Sequence, residues 1–173
     1  MNILRSSKLL LVAAPLLFSS QLYAANPEPV AVEVEFVTPI TIVENNTLKF
    51  GLLSTAIVNT NVVTVAFNDG VTDASTVVVG GTQEAGQVTI GANVGTAATL
   101  TVSETGTSTS YDLTAFSCRY DSTGTDVDGD CGAGLAVTTV ASAVTLIGAT
   151  LTANASPGAG TDDTILEITM TYD

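Results

Sequence analysis

The sequence predicts an all-β protein, an antiparallel immunoglobulin-like β-sandwich, on three observations. Val, Thr, Ala and Gly dominate the composition while Lys and Arg total 4, and β-branched residues favour strands over helices. Apolar and polar residues alternate in short runs, the period of a half-buried strand. Gly, Asn, Asp and Pro separate those runs, and no window carries a helical period.

Residues 1–24 read as a secretory signal. Arg5 and Lys8 precede a ten-residue apolar run at 9–18, followed by small and polar residues, with cleavage expected after Ala24 or Ala25. An apolar core that short suits a signal and not a membrane span, and no later apolar run reaches spanning length. The product is therefore expected to be exported, either soluble or assembled at the cell surface.

Residues 25–37 form a separable N-terminal arm. Val30, Val32, Val34 and Phe36 fall on one side of an extended chain, with Glu33 and Glu35 on the other. A single strand over residues 30–42 would run for about 43 Å, twice the usual length. Pro39 donates no ladder hydrogen bond, so it is expected to end the arm and begin the body at residues 38–173.

Strands are predicted in the body at 40–43, 48–53, 62–67, 76–79, 87–90, 97–102, 111–118, 135–140, 144–151 and 164–172. Glu44-Asn45-Asn46, Asn68-Asp69-Gly70 and Gly80-Gly81 read as the turns after the first, third and fourth. The last strand is the most regular: Leu166, Ile168, Met170 and Tyr172 alternate with Glu167, Thr169 and Thr171. A chain of this length buries one full core without a second domain.

Once Arg5 and Lys8 are removed, only Lys49 and Arg119 stand against 17 acidic residues. Such a surface repels phosphates, which argues against nucleic-acid partners and anionic membranes. Cys118 and Cys131 are an even pair in a chain read as exported, and one disulfide is the simplest outcome. Histidine is absent and both cysteines are expected to be paired, which removes the commonest general base and the thiolate nucleophile; no enzyme is expected.

Asp126, Asp128 and Asp130 alternate within the Cys118–Cys131 loop. Alternate carboxylates can serve calcium, which takes six to eight oxygens, but Cys131 and Val137 occupy the glycine and glutamate positions of an EF-hand loop. A solvated acidic loop is the simpler expectation, and no other cofactor is indicated. Asn45-Asn46-Thr47 and Asn154-Ala155-Ser156 match the short glycosylation pattern.

The two chain ends resemble those of chaperone–usher pilins. Alternating Leu166, Ile168, Met170 and Tyr172, with Tyr172 penultimate and Gly160 fourteenth from the end, match the C-terminal pattern of that family. The resemblance implies that a periplasmic chaperone caps this segment before outer-membrane usher assembly. The arm of a neighbouring copy, with Val30, Val32, Val34 and Phe36 as plugs, would then replace the chaperone. Much of the body is also similar to a bacterial family known as domain of unknown function 4402. The resemblance lies in Pro39-Ile40-Thr41-Ile42, Leu48-Lys49-Phe50-Gly51, the 146–152 stretch Leu-Ile-Gly-Ala-Thr-Leu-Thr, and the closing Ile168-Thr169-Met170-Thr171-Tyr172.

The expected function is a structural subunit of a surface fibre, joined head to tail by donor-strand complementation. The competing expectation is a monomeric secreted or periplasmic binding module, calcium-dependent through the acidic loop. These differ in whether the arm pairs with a sibling or within its own sheet.

Overall fold

The computed structural model describes residues 33–173 except 59, 74–75, 107, 122–125, 155–159 and 161–163. The chain divides into two compact units, residues 1–35 and 36–173. Of the first unit only residues 33–35 are described, and they carry no regular structure. The signal-like residues 1–24 and the arm residues Val30 and Val32 lie outside the described residues.

The second unit is all-β. Its strands are β1 (Thr41–Asn46), β2 (Lys49–Leu53), β3 (Val62–Val65), β4 (Val71–Asp73), β5 (Val78–Glu84) and β6 (Gly86–Gly91). They continue with β7 (Ala97–Glu104), β8 (Tyr111–Asp121), β9 (Val127–Asp130), β10 (Leu135–Thr138), β11 (Ala143–Ala153) and β12 (Leu166–Tyr172). Among the described residues no helix is long and apolar enough to cross a membrane.

The long strand β11 is the axis of the larger sheet. Along one edge it pairs with β8 over residues 144–153. Along the other edge, residues 143–147 pair with β6 and residues 149–152 with β3. Beyond these, β1 pairs with β6, β4 with β3 and β9 with β8, all antiparallel. The smaller sheet has the order β10-β7-β12, and β2 and β5 form a two-stranded ribbon.

Gly148 sits where β11 changes partner. A Cβ there would come within 2.5 Å of the Phe67 amide nitrogen and 2.6 Å of the Ala66 carbonyl carbon, and closer still to the Val65 carbonyl oxygen. Only glycine lets the backbone leaving β3 pass this close. Opposite this point the register between β8 and β11 shifts, and Ala115 has φ +49°. The chain bulges there, which bends the sheet.

The inner rows follow strand alternation. Val88, Ile90, Cys118, Tyr120 and Ile147 of the larger sheet share one buried cluster with Ala98, Leu100, Val102, Leu135, Val137 and Met170 of the smaller one. This common core gives the sheets a sandwich-like arrangement. The Cys118–Cys131 disulfide lies within it, with both residues fully buried and 5.7 Å between their Cα atoms. Cys131 touches both layers: its N–H donates to the Phe116 carbonyl at 3.2 Å, and its own carbonyl accepts from Val102 N–H at 2.9 Å.

Three local expectations change. Glu44-Asn45-Asn46 does not turn but continues β1, because β6 supplies partners as far as Gln87 opposite Asn46. Gly80-Gly81 does not close a strand either: β5 runs through both, and the pairing with β2 shifts register around Leu52. Gly81 has φ +80°, and a Cβ there would meet the Leu52 amide nitrogen at 2.8 Å, so the pair forms an irregularity within a ribbon. Residues 127–130, read as part of an acidic loop, are the strand β9, and residues 71–73, outside the predicted strands, form β4.

Two substitutions test this packing. Gly148→Ala is expected to lower stability by about 1–3 kcal/mol through overpacking against backbone. Thr145 is fully buried and its hydroxyl has no hydrogen-bond partner among the described residues. Thr145→Val removes an orphan group that costs about 1–3 kcal/mol and keeps its shape. Thermal melts should therefore move in opposite directions for the two variants, by about 2–4 °C for each kcal/mol.

Candidate functional site

A sheet edge is a row of unpaired backbone N–H and C=O groups, and an apolar row beside it makes that edge adhesive. Among the described residues β12 has a partner, β7, on one side alone, and β1 has only β6. These are the longer of the outermost strands, seven and six residues, against three in β4 and four in β9 and β10, while residues 111–116 of β8 extend past the end of β9.

The edges of β1 and β12 border the same flank. The Tyr172 hydroxyl, at the end of β12, donates to the Thr38 carbonyl at 2.8 Å, three residues before β1 begins. On the other flank, β9 packs against β10. The sandwich therefore has a closed side and a seam, with β1 and β12 as the lips of the seam.

The inward residues along the seam are incompletely covered. Ile40 and Ile42 on one lip, and Leu166, Ile168 and Tyr172 on the other, are half-buried where they pack against the core; Met170, at mid-strand, is 9% exposed. Glu167, Thr169 and Thr171 face solvent, as alternation predicts. Gly160, expected to open this C-terminal segment, is described with φ +151°, and among the described residues none lies within 4 Å of an added Cβ.

The described residues of the arm are exposed. Residues 33–40 belong to no strand. Val34 is 64% exposed, Phe36 91% and Val37 44%. Alternation within 30–36 is strand-like, yet the described part of the arm has no ladder to pair with. Pro39 separates it from β1, as its missing N–H requires.

The acidic segment is organised differently from the expectation. Asp128 lies directly opposite Arg119 in the β8–β9 register. The guanidinium binds both of its carboxylate oxygens, Nε to Oδ1 at 2.8 Å and Nη2 to Oδ2 at 2.9 Å. Asp126 also approaches Arg119, at 3.8 Å. Asp130 Oδ1 accepts from the N–H groups of Gly132 and Ala133 at 2.8 and 3.2 Å, capping the turn into β10. Asp128 and Asp130 sit on β9 and Asp126 just before it, and the carboxylates of Asp128 and Asp130 are engaged by different donors. Among the described residues no group of three or more His, Cys, Asp or Glu side chains is placed to hold a metal.

Next to this pair, Phe67, Ala115, Phe116, Ser117, Asp128, Gly129 and Asp130 line an open hollow of about 430 Å³. Arg119 lies 5.0 Å over the Phe67 ring. The guanidinium thus couples a cation–π contact to its ion pair. Both carboxylates of the hollow already have protein donors, so its polar groups serve the fold.

The Arg119 hydrogen bond, and secondarily its charge, hold the Asp128 carboxyl below the usual aspartate range. The same bond raises the Arg119 guanidinium above its ordinary value. With the folded value depressed, the stabilisation from Asp128 is present above the ordinary aspartate range and is lost as pH falls through the lowered value. A carbon-detected NMR titration of Arg119→Gln is expected to return the Asp128 midpoint toward the ordinary range; an unchanged midpoint would contradict the pairing.

No protein-family model, curated protein or solved structure matches the chain.

Proposed function

We propose that this chain is an exported structural subunit that polymerises head to tail at the cell surface, the arm of one copy filling the β1–β12 seam of the next. The observation that carries this reading is the pairing of shapes. Seven residues of β12 present Leu166, Ile168, Met170 and Tyr172 beside an open edge, and residues 30–36 offer Val30, Val32, Val34 and Phe36 at the same two-residue spacing.

In strand addition, backbone hydrogen bonds supply affinity and alternate side chains fill pockets. Burying four such side chains at about 1.5–3 kcal/mol each, beside a new backbone ladder, makes a durable joint. Because the arm and the seam are different surfaces, each copy keeps one of each free. The contact does not close and a filament results. The implied architecture is an immunoglobulin-like sandwich lacking one lateral strand, consistent with the pilin-like chain ends and the family resemblance noted from the sequence.

The signal-like residues 1–24 and the buried disulfide support export through an oxidising compartment. A periplasmic chaperone and an outer-membrane usher are the partners this route would use. Both described basic residues are consumed in the sheets, Lys49 on Glu84 at 2.8 Å and Arg119 on Asp128. Assembly by this scheme rests on apolar burial and backbone pairing.

Deletion of residues 25–37 tests the reading. Electron microscopy of surface shear fractions, with an antibody to this chain, should show filaments for the full chain and none for the deletion. The deleted body should still fold, with its melting temperature within a few degrees of the parent. Persistence of filaments, or a parent that remains a single copy under assembly conditions, would overturn it.

A further inference from the structure

The hydroxyl of Tyr172 makes two bonds that the packing of its ring does not require. It accepts from the Asn93 backbone N–H at 2.7 Å and donates to the Thr38 carbonyl at 2.8 Å. Asn93 lies in the crossing from β6 to β7, which joins the two sheets. That crossing is itself held. Asn93 Nδ2 donates to Thr96 Oγ1 at 2.9 Å, and Thr96 N–H donates to Thr139 Oγ1 at 3.2 Å. The Thr139 hydroxyl, almost fully buried, lies against the carbonyls of Asn93 and Thr96.

On the other side, Thr38 stands one residue before Pro39 and two after the 91%-exposed Phe36. Proline fixes its own φ and restricts the residue before it to extended conformations. A hydrogen bond at Thr38 therefore fixes the chain just where the arm departs.

We propose that the Tyr172 hydroxyl is a latch that ties the acceptor strand to the root of the same molecule's arm, and so sets the angle between successive subunits. This rests on the strand-donation reading and adds a positioning role within it. The joint at the seam and the departing arm would otherwise meet through a free pivot at residues 36–38. With the latch closed, the β12 lip that receives one neighbour is bonded to the segment that leads to the other neighbour. The fibre then transmits orientation from joint to joint. Tyrosine is needed for this, since phenylalanine fills the same apolar position without the hydroxyl's two hydrogen bonds.

Tyr172→Phe separates ring from hydroxyl. The variant is expected to melt within a few degrees of the parent, since the half-buried ring remains. In the monomer, the Asn93 amide should exchange at least ten-fold faster, and NMR order parameters over residues 36–40 should fall while those of β7 hold. In polymers, electron microscopy should show joints still forming, with a broader spread of subunit-to-subunit bend angles. Thr139→Val, which loosens the Asn93 crossing from its other side, should reproduce the faster exchange in part. Unchanged order parameters over 36–40 with unchanged bend angles would overturn the latch. Loss of polymers in Tyr172→Phe alone would also overturn it, by placing the hydroxyl in joint formation. If neither parent nor variant polymerises, the strand-donation reading fails. The latch at Thr38 is then decided by the monomer order parameters.

Discussion

Backbone groups at a sheet edge and the apolar row beneath them must both be satisfied, and this sandwich meets that demand on one flank only. At the flank of β9 and β10, short strands, exposed carboxylates and a buried disulfide close the layers. At the flank of β1 and β12, two longer strands stand open, with Ile42, Leu166 and Ile168 half-covered. Charge and brevity blunt an edge; a seven-residue strand with four inward apolar residues is not blunted. Most of the proposed biology follows from that asymmetry.

The stapled flank shows how nonlocal forces make a strand from a poor candidate. Val127–Asp130, with two aspartates and a glycine among its four residues, has little intrinsic preference for a strand. It pairs because Arg119 stands opposite Asp128 and because Cys131 is bonded to Cys118 in the core. A disulfide over a loop this short contributes roughly 3 kcal/mol in the chain-entropy account. The Cys131 carbonyl then passes that constraint to Val102 in the other sheet. Rigidity at one side leaves the open side as the place where pairing can be supplied from outside.

What the residues disclosed in advance depended on how local the cause was. Alternation in 166–172, in 97–102 and in 144–151 is local, and the corresponding strands β12, β7 and β11 stand where that pattern puts them. The cysteine pairing was equally legible, since two cysteines in a chain read as exported leave one choice. The split edge of β11 was not, because it depends on Gly148 meeting the backbone of residues 65–67, far away in sequence. Asn45 and Asn46 carry turn chemistry, yet they extend β1 because β6 lies alongside. At the site, the inward apolar row of β12 was readable from period alone, whereas the described residues of the arm, 33–37, belong to no strand. That β1 and β12 share a flank, joined through Tyr172 and Thr38, required the three-dimensional arrangement.

The central claim is that the seam is a vacant strand position which residues 28–38 can occupy in trans. It is tested most directly by hydrogen exchange on the body lacking residues 25–37, with and without a synthetic peptide of residues 28–38. The account predicts saturable binding and slowed exchange at the β12 amides facing away from β7, both abolished when Val32, Val34 and Phe36 of the peptide are replaced by serine. Protection that is already complete without peptide, or binding indifferent to those replacements, would contradict it.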